Sequence, residues 1–186
     1  MKEQILDAAE QLVQARGLSG VSFQELADKV GLRKPSIFHH IKNKDELSQL
    51  LIERCSTKHG PRYLQIIDQD VDAPAKLKAI AKLFKDDVIE GHPCLLAALG
   101  HSLDSMTEEA VSMLQHTAEG SISRFALIFK QGREEGSLEF KGKPETAAMG
   151  FFAMLQGLQT LCRAKADTSA FHQAATTYIQ AITAGK

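Results

Sequence analysis

The chain has 186 residues, of which 44% are apolar and 24% are charged, and its formal net charge is −1. These values are ordinary for a globular protein with a hydrophobic core, and so small a total charge does not by itself predict a nucleic-acid partner. A local basic patch remains open, because the field near a surface depends on where the charges lie. No apolar run approaches the roughly 18–20 residues that cross a bilayer, so the sequence predicts no membrane partner.

The three cysteines, Cys55, Cys94 and Cys162, are odd in number and far apart. The chain has no C-x-x-C pair, and residues 1–16 carry the pattern of an amphipathic helix where a secretory signal would stand. We therefore expect a protein of the reducing cytoplasm.

The first residues predict two helices. The apolar residues between Ile5 and Val13 recur at the i, i+3, i+4 spacing of one buried helix face, and Gly17 suits the end of that helix. The stretch Ser22-Phe-Gln-Glu25 is typical of a capping box and predicts a short helix that ends at about Lys29.

A turn and two further helices are predicted next. Gly31 permits a tight turn, and a second short helix follows at about 34–40, with Pro35 in its first turn. Asn43-Lys-Asp-Glu46 is a capping signal that opens a longer helix. Gly60-Pro61 should kink or end that helix before its pattern resumes.

The remaining sequence is helical as well. Glycines separate the periodic segments, and Val, Ile and Thr never alternate with a period of two for long, so no strand is predicted. The further helices are expected at about 74–90, 94–101, 107–135, 144–165 and 168–184. The predicted class is all-α, with about nine helices.

Residues 22–41 have the form of a helix-turn-helix unit packed on the first helix. In such a unit the second helix enters the major groove of DNA and presents its N-terminal residues to the base edges. Ile37 and Ile41, four residues apart, fit its buried side, and Lys44 fits a phosphate contact beside the start of the next helix. The outward donors are Arg33, Lys34, Ser36, His39 and His40.

The charge of this segment favours the same function. From Lys29 to Lys44 there are five Lys or Arg residues and no Asp or Glu. A charge run alone is usually a solvated loop, but this one coincides with the turn, the helix caps and the early proline. We interpret it as a DNA-binding surface. The alternative is a helical protein-interaction or adaptor protein that binds no DNA.

Six stretches of the N-terminal part carry a recognisable combination of residues. They are Ile5-Leu-Asp-Ala-Ala, Gly17-Leu, Val21 to Ala27, Val30-Gly-Leu, Lys34 to Ile41 and Asn43 to Leu47. This combination resembles the TetR family of bacterial transcriptional repressors. The resemblance implies a homodimer with a helix-turn-helix DNA-binding domain at residues 1–59 and an effector-binding and dimerisation domain at 60–186. It also implies a small-molecule effector and a palindromic double-stranded DNA operator.

The resemblance also implies, by position, which residues touch DNA. Lys44 falls on a phosphate contact, and Arg33 replaces what is often a small polar residue and adds a donor. Phe38 stands where the family usually has tyrosine, so a hydroxyl contact to the DNA backbone is missing. The other implied contacts are Gln24, Lys34, Pro35, Ser36, His39 and His40.

The C-terminal part bears a second resemblance. The stretch Gln131-Gly-Arg-Glu-Glu-Gly-Ser-Leu and the apolar residues 147–158 resemble a branch of the family in which some members respond to electrophiles or oxidants. That branch often has Gly-Cys-Leu where this chain has Cys94-Leu-Leu. Cys94 is therefore either a reactive thiol at a helix start or a small buried side chain, and Cys162 is interpreted as packing.

Residues 144–165 are apolar nearly all round, so other elements must cover this helix on more than one side. A partner subunit is the simplest cover, with the helix at 168–184 completing a four-helix interface. The residues assigned to this dimer interface are Phe152, Leu155, Leu158, Phe171 and Tyr178. Those that can line an effector pocket, or equally fill the core, are Phe84, Val88, Cys94, Leu99, Met106, Met113, His116, Phe125 and Phe129.

No pattern in the sequence predicts an enzyme or a bound cofactor. The P-loop, the nucleophile elbow, the H-E-x-x-H zinc motif and the dinucleotide fingerprint are absent. Cys55 and His59 are four residues apart, and Cys94 lies near His92 and His101, but seven histidines in 186 residues produce such proximities by chance. We predict neither a metal site nor catalysis.

Overall fold

The computed structural model describes residues 1–185, which contain nine α-helices and a short 3-10 turn at Leu103–Ser105. The only paired extended backbone in this range is an isolated bridge between Leu138 and Thr183. The all-α prediction is therefore confirmed, and the predicted helix ends lie within about two residues of the observed ones. The helices are α1 (Lys2–Arg16), α2 (Phe23–Val30), α3 (Lys34–Phe38), α4 (Lys44–Ile67), α5 (Ala73–Ile89), α6 (Leu95–Gly100), α7 (Glu108–Glu134), α8 (Pro144–Lys165) and α9 (Ser169–Ile182).

The helices form two compact units. Unit 1 contains Met1–Lys58 and Leu95–Ala118, and unit 2 contains His59–Cys94 and the described residues from Glu119 onward. Helices α4 and α7 each have residues in both units. The functional boundary at residues 59 and 60 stays a prediction, because packing alone groups residues 95–118 with the N-terminal helices.

Unit 1 is built on the apolar stripe of α1. Ile5, Ala9 and Val13 are completely buried, as their spacing predicts, and α1 packs against both α2 and α6. Ile37 and Ile41 are completely buried too, as predicted, with Ile37 on the inner side of α3 and Ile41 in the segment that follows it. The opposite side of α3 is left facing solvent.

A charged cluster fastens α1 to α4. The guanidinium of Arg54 donates to Glu10 at 2.8 Å, to Glu3 at 2.5 Å and to Asp7, and Lys58 donates to Glu10 at 3.1 Å. Burial raises the pKa of the Glu10 carboxyl, but the hydrogen bonds and charges of Lys58 and Arg54 outweigh burial and hold it below its ordinary value. Glu10 is thus a buried carboxylate that two cations compensate.

Helix α4 passes through Pro61 without ending. Of the two outcomes predicted at Gly60-Pro61, a kink or an end, the end is wrong, since one helix runs from Lys44 to Ile67. Proline inside a helix removes one hydrogen bond and costs about 3 kcal/mol. Side chains on both sides of it are buried, including Cys55 before it and Tyr63 after it, and this packing favours the continuous helix.

Aromatic rings fill the core of unit 2. The ring of Phe125 contacts those of Tyr63, Phe152 and Phe151, with centroids 4.8, 5.4 and 6.2 Å away. Tyr63 and Phe152 both contact Phe84 in turn. These edge-to-face and stacked contacts join α4, α5, α7 and α8 in the interior of unit 2.

Helix α8 is buried on one side only. Ala148, Phe151, Phe152, Leu155, Gln159 and Cys162 are buried within unit 2, where α8 packs on α5 and α9. On the opposite side, Met149 and Leu161 are 55% and 59% exposed, and Gly150, Ala153 and Gly157 are exposed as well. The chain therefore covers half of this apolar helix and leaves the other half uncovered.

The residues predicted for the dimer interface differ in how far their own subunit buries them. Phe152, Leu155 and Phe171 are buried within their own subunit and expose at most 6% of their surface, so they offer little area to a partner. The sequence pattern marked them as apolar but could not tell which side of an all-round apolar helix the chain itself would cover. Leu158 and Tyr178 are half-buried and retain exposed surface.

Candidate nucleic-acid interface

The turn between α2 and α3 depends on a cap and a glycine. Ser22 caps α2 by accepting a hydrogen bond from the Glu25 amide through its hydroxyl oxygen at 3.2 Å. Gly31 ends α2 in the left-handed conformation, with φ 70°, and the amide of Leu32 then donates to the carbonyl of Ala27 at 2.9 Å. This C-terminal cap ends α2 and sets the direction in which the chain continues into α3.

Helix α3 is shorter than the predicted segment of residues 34–40. It covers Lys34–Phe38, with Pro35 in its first turn, where the missing amide hydrogen is least costly. The amides of His40 and Ile41 both donate to the carbonyl of Ile37 at 2.9 Å, which tightens the end of the helix into a turn. The two histidines therefore lie on that turn, directly after the helix.

The predicted DNA-contacting side chains are accessible in and around α3. Arg33, Lys34, Pro35 and His39 are exposed, and Ser36 and His40 are half-buried. Gln24, on α2, is exposed but donates to the Asp28 carboxylate at 2.8 Å, so it must give up that bond to reach DNA. The turn and α3 thus bring most of the predicted donors onto one short segment. The buried side chains of Ile37 and Ile41 fix the backbone of this segment.

An aromatic pair that the sequence analysis did not identify holds α3 against α2. Phe38 is 42% exposed and stacks on Phe23, with ring centroids 5.0 Å apart and an interplanar angle of 23°. Phe38, at the position where the resemblance implies a tyrosine, therefore has a packing role here. Two isolated phenylalanines, 15 positions apart on different short helices, carry no periodic signal that could have revealed the pair.

Lys44 is engaged within the chain. Its ammonium donates to the carbonyl oxygens of Ser19 at 3.1 Å and Leu18 at 3.4 Å, and the side chain is half-buried. Asn43 accepts from the Glu46 amide at 2.8 Å, and Glu46 in turn accepts from the Lys42 amide at 2.7 Å. The start of α4 is therefore capped and tied to the loop before α2.

The residues predicted to line an effector pocket are divided between the units. Leu99, Met106, Met113 and His116 belong to unit 1, and Phe84, Val88, Cys94, Phe125 and Phe129 belong to unit 2. Phe84, Phe125, Phe129 and Leu99 are buried core residues. Met113 and His116 line an open groove of about 610 Å³ between the unit 1 parts of α4 and α7.

Cys94 lies against two glutamines of α8. Its amide donates to the Gln159 side-chain oxygen at 2.8 Å, and its Sγ accepts from Gln156 Nε2 at 3.5 Å. Gln159 is buried and donates onward to the carbonyl of Phe84 at 2.8 Å. Cys94 is half-buried, whereas Cys55 and Cys162 are buried, so Cys94 is the most accessible of the three thiols.

Residues 1–185 contain neither a candidate membrane-spanning helix nor a cluster of metal-ligating side chains. Within that range, no helix is both long and apolar enough to span a membrane. Nor do three or more His, Cys, Asp or Glu side chains of the described chain gather into a group that could hold a metal ion.

The sequence of this segment matches a known protein family. The sequence model of the family described as "Bacterial regulatory proteins, tetR family" matches residues 5–50, which include α2, the turn and α3. The matched segment therefore covers the interface described above.

Relatives extend the match beyond that segment. The uncharacterized HTH-type transcriptional regulator YvkB of Bacillus subtilis is 31% identical over 154 residues, which cover 78% of this chain and 74% of YvkB. The HTH-type transcriptional repressor NemR of Escherichia coli is 24% identical over 162 residues, or 84% of this chain and 80% of NemR. Both are described as transcriptional regulators, which favours that class over an adaptor protein.

A solved structure has the same fold. The crystal structure of a TetR-family transcriptional regulator from Agrobacterium tumefaciens superposes with a TM-score of 0.92, at 22% sequence identity, over 98% of this chain and 97% of that one. Taken with the family match and the identity to YvkB, the helix-turn-helix of residues 22–41 and its exposed donors show that this chain is a DNA-binding transcriptional regulator and belongs to the TetR family.

Proposed function

We propose that the protein is a cytoplasmic homodimeric repressor, which binds a palindromic operator through α3 and the turn before it and is released by an effector. The observation that carries this proposal is the charge of residues 29–44. This segment holds five Lys or Arg residues and no acid, and it surrounds a helix whose inner side is fixed by buried Ile37 and Ile41. Four of these five cations are exposed, where phosphates can neutralise them, and Lys44 must give up its bonds to two carbonyl oxygens to join them.

The donors of this segment are proposed to divide into two roles. Lys34, Ser36 and His39, at the start of α3 and just beyond it, are proposed to reach base edges in the major groove. Arg33, Lys42 and Lys44 are proposed to contact phosphates, Lys44 beside the amide groups at the start of α4. Phosphate contacts fix the position of the protein on the duplex, and the base contacts select the sequence.

The dimer is proposed to form through the uncovered side of α8. Small residues there, Gly150, Ala153 and Gly157, permit close approach of a partner helix, and Met149 and Leu161 supply apolar area. Leu158 and Tyr178 keep their predicted place at this interface. Two such subunits can then present their α3 helices to half-sites about 34–36 Å apart, one helical turn of DNA.

Release is proposed to follow from a change in the spacing of the two α3 helices. Helix α4 begins directly after the α3 turn and continues into unit 2, so a shift of α4 alters where α3 lies. An effector that binds the mis-spaced state more tightly shifts the population away from DNA. Either a reversible ligand or covalent modification of the Cys94 thiol can supply that difference.

The proposal is tested by selecting genomic fragments that the purified protein retains and by titrating the enriched sequence at several salt concentrations. We expect one enriched palindromic sequence and an affinity that falls steeply with salt, by a slope of about 0.9 per phosphate contact. Absence of enrichment, together with salt-independent binding, would contradict the proposal and revive the adaptor function.

A further inference from the structure

A groove between α5 and α9 in unit 2 belongs to none of the sites described so far. It has a volume of about 350 Å³, and its lining comes from α5 and α9 alone. It lies on the flank of α9 that packs against α5, whereas the uncovered side of α8 is the proposed dimer surface. We call it the lysine groove, after Lys78, Lys82 and Lys85.

The floor of the lysine groove is apolar. Ala79 and Ala81 of α5 and Ala175 and Ile179 of α9 form it, and the small alanines leave the space open. Ala81, Ala175 and Ile179 are buried, so the floor is already fixed by the packing of the two helices. The methylene stems of the lysines extend this apolar surface toward the rim.

The rim of the lysine groove is cationic. Lys78, Lys82 and Lys85 follow the i, i+4, i+7 spacing, which places all three on one side of α5. Lys82 is paired with Asp86 at 2.5 Å. Among residues 1–185, no carboxylate oxygen lies within 4.0 Å of the ammonium groups of Lys78 or Lys85. Within residues 1–185, two of the three lysines that line this apolar groove therefore have no acidic partner.

We propose that the lysine groove binds a small amphipathic carboxylate, whose apolar body lies on the alanine floor and whose carboxylate pairs with Lys78 and Lys85. The volume is at the lower end of the roughly 300–1,000 Å³ of small-molecule pockets. A protein partner would need a surface of about 800 Å² per side, which a groove between two helices does not offer. This binding does not depend on whether the chain binds DNA.

The probe is octanoate. Octan-1-ol, which keeps the apolar chain, and acetate, which keeps the carboxylate, are the two comparison ligands. In a protein with labelled methyl groups, NMR should show saturable octanoate shifts at Ala79, Ala175, Thr176 and Ile179, all of which line the groove. Octan-1-ol, which lacks the charge, should bind about tenfold more weakly, as expected for the loss of two exposed ion pairs. Acetate, which lacks the apolar body, should give no shift at these methyl groups.

Variants distinguish the contribution of the lysine charges to ligand binding from that of the apolar floor. The double variant Lys78→Gln/Lys85→Gln should weaken octanoate binding about tenfold and leave octan-1-ol binding unchanged. Ala79→Leu should fill the groove and abolish binding of both probes. The control Lys130→Gln removes an exposed lysine on α7 and should change neither.

Three results would overturn the proposal. They are octanoate shifts that map to other methyl groups, octan-1-ol binding as tight as that of octanoate, and wild-type octanoate affinity in the double variant. Since the lysines are on the surface, the double variant should remain folded, and thermal melting checks this.

Discussion

The amide of Leu18 donates a hydrogen bond of 3.0 Å to the hydroxyl oxygen of Ser102, although the two residues are 84 positions apart in the chain. Both residues are buried. The bond holds the loop between α1 and α2 against the segment between α6 and α7, within unit 1. In the same loop, the carbonyl of Ser19 accepts a hydrogen bond from the Lys44 ammonium. A single buried hydroxyl therefore helps to position the backbone that leads into the DNA-binding unit.

Removing that hydroxyl should destabilise unit 1. Ser102→Ala leaves the buried Leu18 amide without its acceptor, which costs about 1–3 kcal/mol of unfolding free energy. The control is Ser105→Ala, because Ser105 contacts the Ser19 hydroxyl at 2.7 Å on the exposed surface. Urea unfolding should give a large loss for the first variant and little change for the second. Equal losses of unfolding free energy in the two variants would show that the buried Leu18–Ser102 bond stabilises the protein no more than the exposed Ser19–Ser105 contact.

The two proposed kinds of DNA contact should respond differently to substitution. Lys34→Ala should relax the preference at particular base pairs by about 1–3 kcal/mol. Lys44→Ala should weaken binding on all sequences alike and lower the salt slope by about one. Fluorescence anisotropy on the enriched operator and on single-base variants distinguishes them. If Lys34→Ala leaves every base preference intact, α3 has been placed wrongly on the DNA.

The uncovered side of α8 should carry the dimer. Leu161→Glu places a charge on this exposed apolar surface and should weaken dimerisation while the subunit stays folded. Leu155→Glu should instead unfold the subunit, because an unpaired charge in the core costs about 3–5 kcal/mol.

Leu127→Glu is the matched control for Leu161, since Leu127 is 50% exposed on α7. Sedimentation of the three variants, read beside their circular dichroism, tests the interface. A monomeric wild type at micromolar concentration would contradict the dimer, and dissociation by Leu127→Glu would move the interface to α7.

Glu10 should make stability depend on pH in the acid range. Because its folded-state pKa lies below the ordinary value of 4.5, the unfolded state binds the proton more tightly. Its contribution to stability is therefore complete above that value and is lost as the pH falls through the folded-state pKa. The difference in unfolding free energy between wild type and Glu10→Gln should be largest at neutral pH and should shrink in acid. The exposed pair Lys130–Glu134 supplies the control Glu134→Gln, whose effect should be small throughout.

Cys94 should be the first thiol to react. It is half-buried, whereas Cys55 and Cys162 are buried, so a mild electrophile should modify Cys94 before the others. Mass spectrometry identifies the modified site, and operator binding before and after treatment shows whether modification releases DNA. If Cys94→Ser is released as readily as wild type, a reversible ligand is the effector and the thiol has only a packing role.

Local signals explain why the helix-turn-helix could be predicted from the sequence. The Ser22 cap, the left-handed Gly31 and the early Pro35 act within one or two turns of chain, and each has the geometry that its residue type favours. The short length of α3 could not be predicted in this way, because no local residue signal marks the turn in which the His40 and Ile41 amides donate to the carbonyl of Ile37.

Contacts between segments that are distant in the chain could not be predicted from the sequence. Nothing in the sequence near Ser102 indicates Leu18 as its partner, and the Phe23–Phe38 pair joins two helices that only the fold brings together. Pro61 failed as a helix stop because buried side chains on both sides outweigh its cost. The covered side of α8 was equally hidden, since apolar residues occur all round it.

The short α3 is held by residues other than those that would read DNA. Ile37 and Ile41 anchor it in the core, and Phe38 anchors it on Phe23, while Lys34 and His39 are exposed. Substitution of an exposed residue usually changes folding free energy by no more than about 0.5 kcal/mol. Sequence preference can therefore diverge after gene duplication while the scaffold is preserved. This separation makes the surface of α3 a place where new operator specificities can evolve at little cost to the protein's stability.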